Sequence, residues 1–264
     1  MNTHSITSHD GIELYCQTYG DQSKSALVFS NSLGTNSSMW QPQIEALKSS
    51  FFIITYDTRG HGKSGDISNQ RWDLSDLGRD VTSIMDFLGV ELASFCGISM
   101  GGITGQWLGI HEGKRFNKII MSNTAAKIGN KEGWETRADK ARTEGLDELA
   151  ESAPSRWFSE KFIASNPYSI KILISQMKMG SAEGYANCCE ALAGADLRDQ
   201  VNKIKISTLV IGGELDPITT VEDAKWLAES IGRNAKFATI TASHIANIEA
   251  EKNFTSLICT FLDN

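Results

Sequence analysis

No two cysteines of this chain form a C-x-x-C pair, and their number is odd: Cys16, Cys96, Cys188, Cys189 and Cys259. That argues against a disulfide framework and against zinc ligation, so the thiols read as free in a reducing cytoplasm. Adjacent Cys188 and Cys189 read as helix packing residues and not as a redox pair. Proline is scarce, at four in 264 residues, so each one is informative about where an element starts or stops. A run of about 18 apolar residues is missing, which leaves no membrane-spanning helix to expect. The start, Met1 to Ser5, lacks the charged and apolar regions of a signal peptide, and a cytoplasmic location is expected. Positive charge is also short: 25 Lys and Arg stand against 32 Asp and Glu, for a net charge of −7. Without a visible basic patch, a nucleic-acid partner is not expected. One well-placed arginine could still receive an anionic substrate. No internal repeat, low-complexity run or disordered linker stands out, and nothing sets an oligomeric state.

What is present is a core-forming pattern. Hydrophobic residues make up 41% of the chain, enough for one large domain or a domain with a lid. Gly11 to Tyr19 alternates apolar and polar residues, as a half-exposed strand does. Short apolar runs at Ala26 to Ser30, Phe51 to Tyr56, Leu92 to Cys96 and Phe116 to Ser122 read as buried strands. Between them, Trp40 to Leu47, Leu74 to Leu88 and Gly102 to His111 have helical spacing; Pro42 falls where a first turn tolerates it. Strands alternating with helices predict an α/β fold: a mostly parallel twisted sheet with helices on both faces.

From about Lys127 to Ala193 the rhythm changes. Glu132 to Glu144, Leu146 to Ala153, Pro154 to Ile163, Tyr168 to Met179 and Ala182 to Ala193 all read as helices, broken by Gly145, Pro154, Pro167 and Gly180. The segment 127–193 is expected to be a helical cap inserted into a core domain of residues 1–126 and 194–264. The alternation then resumes with a strand at Ile206 to Ile211 and a helix from Thr220 to Ile231, capped by Thr219 or Thr220. A strand at Ala235 to Ile240 and a closing helix from Ile248 to Leu262 complete the chain.

Chemistry enters at Gly97-Ile98-Ser99-Met100-Gly101, a G-x-S-x-G pattern between a predicted strand and a predicted helix. A serine on such a sharp turn has its hydroxyl pushed out of the sheet. Ser99, Asp216 and His244 follow one another in the order Ser…Asp…His, each just past the C-terminal end of a predicted strand. Those ends converge on one edge of a parallel sheet, where ligands bind. A serine hydroxyl needs a base to attack at neutral pH; His244 can be that base, and Asp216 can orient the imidazole. Taken alone, Asp216 before Pro217 could merely start a turn, and His244 could be an ordinary loop histidine. His61 is the chief rival base, but its glycine-rich loop reads better as a packing and loop-ordering segment. His4, His9 and His111 fall in a tail, a turn and a helix end. For the oxyanion, the backbone N–H of Met100 is one expected donor and that of Leu33 the other.

With these parts together the chain resembles the α/β-hydrolase fold family over nearly its full length. Asp57-Thr58-Arg59-Gly60-His61-Gly62-Lys63-Ser64 is similar to that family's D-x-R-G-x-G-x-S loop. Gly212-Gly213-Glu214-Leu215-Asp216-Pro217 resembles its acid-bearing turn, and Ser243-His244 its histidine loop. Where the common pattern has His-Gly at the oxyanion loop, Asn31-Ser32 stands here. Several stretches resemble the 3-oxoadipate enol-lactonases: Asn31 to Thr35, Met39-Trp40, Gly97 to Gly109, Ser122 to Gly129, Trp134 to Arg137 and Gly184 to Leu192. The resemblance implies a serine hydrolase that opens a small anionic lactone, 3-oxoadipate enol-lactone, to 3-oxoadipate, with no metal or organic cofactor. The alternatives are another small-ester carboxylesterase, a cofactor-free haloperoxidase-like hydrolase, or a ligand-sensing protein on the same fold. Ser99 at the elbow, in place of an aspartate, argues against a dehalogenase or epoxide hydrolase. The substrate's carboxylate calls for a cation. Arg137 lies three residues after Trp134 on one helix face, so Arg137 is expected to bind it and Trp134 to wall the ring. Lys127 and Arg59 are weaker candidates.

Overall fold

A computed structural model describes residues 1–66 and 71–263. The strands are β1 (Asn2–Thr7), β2 (Glu13–Tyr19), β3 (Ala26–Ser30), β4 (Phe52–Tyr56), β5 (Ala93–Ile98), β6 (Phe116–Ser122), β7 (Ser207–Gly213) and β8 (Ala235–Ile240). They form one sheet in the order β1-β2-β4-β3-β5-β6-β7-β8. The first two join antiparallel, and from β4 to β8 every pairing is parallel. All residues of β3, β4 and β5 are buried, as their unbroken apolar runs require when helices cover both faces. The chain steps from β3 to β4 on one side and then to β5 on the other. This reversal opens a crevice beyond the C-terminal ends of β3 and β5.

Helices α1 (Gln41–Leu47), α2 (Leu74–Phe87) and α3 (Met100–His111) make the first crossovers. In α2 the residues Leu77, Val81, Ile84 and Met85 are buried, as their spacing predicted, and a reciprocal Asp73–Asp76 capping box starts the helix. Between β6 and β7 the chain runs through α4 (Lys131–Glu144), α5 (Asp147–Ser152), α6 (Pro154–Trp157), α7 (Glu160–Ser165), α8 (Pro167–Lys178) and α9 (Ala182–Gly194). Small residues Ala138 and Ala141 of α4 are buried, and Arg142 ties α4 to Glu183, Asn187 and Glu190 of α9. The chain closes with α10 (Val221–Ile231), α11 (Ala246–Glu249) and α12 (Glu251–Asp263). Among the described residues, no helix is long and apolar enough to cross a membrane.

Three details differ from the sequence reading. His4 is in β1 and not in a tail, its ring bonded to Thr18 Oγ1 at 3.1 Å. Only Ile6 of β1 is buried, so the strand has almost no apolar alternation to detect; it forms along the edge that β2 presents. The helix expected over Pro154 to Ile163 breaks at Phe158, whose backbone is extended, and Ser159 caps the next helix. Here the Trp157 carbonyl accepts from Ile245 N–H at 3.0 Å, a tertiary bond invisible to local pattern. The closing helix likewise breaks at Ala250, where the backbone leaves helical geometry. Thr220 is the N-cap of α10, with Asp223 completing a capping box.

Candidate active site

Strand register brings the proposed residues to one edge. Ser30 lies opposite Gly97, Ile98 opposite Ser122 and Gly213 opposite Ile240, so β3, β5, β6, β7 and β8 end nearly level. Leu33, Ser99, Asn123, Asp216 and His244 follow those ends. Ser99 occupies the turn between β5 and α3 with φ 56° and ψ −113°, a conformation that L-residues rarely adopt. Strand, turn and helix must pass almost in contact for this. A Cβ on Gly97 would run into the Gly101 carbonyl, and one on Gly101 into the Ser30 carbonyl. The strained turn is held by Ser99 N–H donating to Ser122 O at 3.0 Å and by Thr124 Oγ1 donating to Ser99 O at 2.9 Å.

His244 and Asp216 meet directly, Nδ1 to Oδ2 at 2.8 Å, and both are buried. An ionised carboxylate only accepts, so the proton of this bond is on Nδ1, and in the neutral ring the lone pair is on Nε2. Asp216 is held from several sides. Its Oδ1 accepts the Ile218 and Thr219 N–H groups at 2.8 and 3.1 Å; Oδ2 also accepts from Thr219 Oγ1 at 2.8 Å and Asn123 Nδ2 at 3.0 Å. Burial pushes its pKa up, but the bond from His244, the Ile218 N–H and Asn123 together outweigh that and hold it below the usual carboxylate value. Asn123 also donates to Ser243 O at 3.0 Å, clamping the acid turn and the histidine loop together. It does so from a left-handed backbone, φ 47°.

The Leu33 loop is fastened by two side chains. Asn31 donates to Tyr56 O at 2.7 Å, accepts from Trp40 Nε1 at 2.9 Å, and its own carbonyl accepts Gly101 N–H at 3.0 Å. His61 Nε2 accepts the Gly34 N–H at 3.0 Å, while its Nδ1 lies 3.1 Å from Arg59 O. Both ring nitrogens are therefore committed to backbone, and burial lowers the His61 pKa and keeps the ring neutral. His61 orders the loop and is not placed as a base. Among the described residues, neither the Leu33 nor the Met100 N–H donates to a protein acceptor. Met100 is the first residue of α3, whose N-terminal end is positive.

Ser99, Leu33 and His244 open onto a cavity of about 30 Å³, faced from the inserted helices by Trp134, Arg137, Arg156, Trp157, Met177 and Tyr185. Arg137 stacks its guanidinium over the Trp134 ring at 5.3 Å, and Trp134 Nε1 donates to Ile128 O at 2.6 Å. The two weaker cation candidates are elsewhere. Arg59 is fully buried against Asp80 and Asp10, at 2.6 and 2.8 Å, with Trp72 on its face. Lys127 pairs with Asp196 at 3.4 Å. Sequence reading missed Asn123 and Arg156. Asn123 directly follows β6, so the strand-end criterion that singled out Asp216 could have found it. Arg156 carries no local signal. The cysteines are unpaired, and burial pushes the Cys16 and Cys189 thiols up to about 12, which leaves them as packing groups.

Known proteins are similar to this chain over nearly its whole length. 3-Oxoadipate enol-lactonase 2 of Acinetobacter baylyi is 47% identical over 253 residues, 96% of this chain and 94% of that protein. The crystal structure of the enol-lactonase from Burkholderia xenovorans LB400 superposes with a TM-score of 0.94 at 37% identity, covering 99% of this chain and all of that one. A thermophilic esterase from Thermogutta terrifontis follows the same path with a TM-score of 0.92 at 25% identity, over 100% of this chain and 98% of its own. The family model for the alpha/beta hydrolase fold matches residues 25–251, from β3 to the start of the last helix. Sheet order, strained serine turn and matched length agree: this chain belongs to the alpha/beta hydrolase fold family.

Proposed function

We propose that this protein is a serine lactonase that hydrolyses 3-oxoadipate enol-lactone to 3-oxoadipate. The observation that carries the chemistry is the buried Asp216–His244 bond, opening with Ser99 onto one cavity that also contains Arg137 and Arg156, neither paired with a carboxylate among the described residues. The substrate follows from the enol-lactonase relatives, whose likeness runs through the inserted helices that face the cavity.

In this reading His244 Nε2 takes the proton of Ser99 Oγ as the oxygen adds to the lactone carbonyl. The oxyanion accepts from the Leu33 and Met100 N–H groups, which among the described residues have no protein partner to give up. Collapse breaks the ring C–O bond and expels an enolate, which takes a proton from His244 and becomes the ketone while still attached to the acyl chain. Water then adds to the acyl carbon with His244 as base, and Ser99 leaves with the proton. Every step uses this chain's residues and water. Residues 127–193 serve as a cap over a core of 1–126 and 194–264, the cap supplying Trp134 and Arg137 to the ring and its carboxylate. The unpaired thiols suit a reducing cytoplasm.

The test is direct assay with the enol-lactone, beside a chromogenic neutral ester. The wild type should open the lactone and give a burst of product from the ester, and Ser99→Ala should abolish both. Turnover of simple esters with none on the enol-lactone would overturn the substrate and leave the mechanism. A burst that persists in Ser99→Ala would overturn the mechanism.

A further inference from the structure

Arg156 has no role in the reaction described above, yet it faces the same cavity as Ser99 and His244. It sits on the short helix α6 and reaches back to the end of α5. Its Nη1 donates to Ser152 O at 3.2 Å and Ser152 Oγ at 3.1 Å, and its Nη2 donates to Leu149 O at 3.3 Å. These acceptors are neutral and aim the guanidinium without cancelling its charge. Arg59, Arg142 and Arg198 each meet a carboxylate. Among the described residues, neither Arg156 nor Arg137 does. The two act on each other: burial and then the charge of Arg137 push the Arg156 pKa down. Both also bear on the buried phenol of Tyr185.

Two like charges held half-buried on one cavity repel, and among the described residues no acid forms an ion pair with either. An anion entering between them removes the repulsion and forms charge-assisted bonds with both. Resting on the lactonase reading, we propose that Arg156 is the second cation of a two-arginine clamp. With Arg137 it grips the free carboxylate of the bound lactone and selects carboxylate-bearing substrates over neutral ones. The fork geometry of two guanidiniums also fixes where the carboxylate lies, and through it the angle at which the ring carbonyl meets Ser99.

A purely architectural Arg156, stapling α6 to α5, makes a different prediction, and the measurements separate the two. Arg156→Gln and Arg156→Lys are compared with the wild type and Arg137→Gln, as full chains. Two readouts are taken: the ratio of kcat/KM on the enol-lactone to that on a neutral ester, and the inhibition constant of glutarate against neutral-ester hydrolysis. Arg156→Gln should lower the ratio and raise the glutarate constant, each by about tenfold or more, with the lactone loss mainly in KM. Arg156→Lys should recover part of both. Equal fractional losses on both substrates, or an unchanged glutarate constant, would overturn the clamp. If the wild type opens no enol-lactone, the lactonase reading fails. The glutarate series then still decides whether Arg156 binds a carboxylate, because it is read on the neutral ester alone.

Discussion

At the scale of single residues, the proposed chemistry turns on Asp216. Four hydrogen bonds from three residues besides His244, namely Asn123, Ile218 and Thr219, hold its carboxylate, so it is fixed before any substrate arrives. Asp216→Asn should lower kcat by roughly 10³ to 10⁴, since an amide facing Nδ1 favours the wrong imidazole tautomer. The folded-state pKa of Asp216 lies below its unfolded value of 3.8, so its ionisation stabilises the fold. That contribution is fully present above the unfolded value and is lost as pH falls through the lower, folded one. Thermal melts of wild type and Asp216→Asn should therefore keep a constant difference in Tm from neutral pH down to about 4, then converge in more acid buffer. A difference that stays constant in acid would show that the carboxylate adds nothing to stability. Ser99, Asp216 and His244 could be proposed from the sequence because each follows a strand end in a recognisable order. Asn123 and Arg156 were not singled out: the Asn123 role depends on a left-handed backbone, and Arg156 meets the cavity only through the fold of α5 and α6.

At the scale of elements, the β5–Ser99–α3 unit works by close approach. Gly97, Gly101 and Gly102 lie where a Cβ would overlap the Gly101 carbonyl, the Ser30 carbonyl and the Thr124 side chain. Gly101→Ala should destabilise the protein by about 3 kcal/mol or more, because the clash is with backbone of β3 that cannot swing aside. Urea unfolding would measure it, and a loss under about 1 kcal/mol would mean the turn has slack. Helix and strand positions along the core were readable because apolar runs and helical spacing match the burial they require. The misplaced boundaries at Phe158 and Ala250 have one source. Both flank the contact between the histidine loop and the inserted helices, where Ile245 N–H bonds to Trp157 O and Glu249 accepts from Ser243 N–H and Ser159 Oγ. Local preference for one long helix yields there to tertiary hydrogen bonds that hold His244 in place.

At the scale of the whole molecule, the inserted helices and the sheet edge meet over a cavity of about 30 Å³. One seam between the two layers is unusually tight. Gly60, at φ 71° in the loop after β4, touches Gly184 of α9 so closely that a Cβ on either would overlap the other's backbone. Gly184→Ala should push α9 off this loop. Hydrogen exchange should then quicken across 127–193 while β3 to β6 stay protected, and kcat/KM should fall on charged and neutral substrates alike. Quickening spread evenly over the chain would instead indicate general destabilisation.

The sequence by itself determined the alternation of buried strands and amphipathic helices, because burial of apolar side chains is written at the period of each element. It also determined the serine turn, since only glycine tolerates the crossing beside it. What only the tertiary structure decided is which charged groups meet. Arg59, Arg137, Arg156 and Lys127 are all cations in the sequence. Three-dimensional packing pairs Arg59 and Lys127 with acids, and brings the other two to one cavity with no carboxylate partner among the described residues. Electrostatic partnership depends on distance through space, which a chain order does not encode.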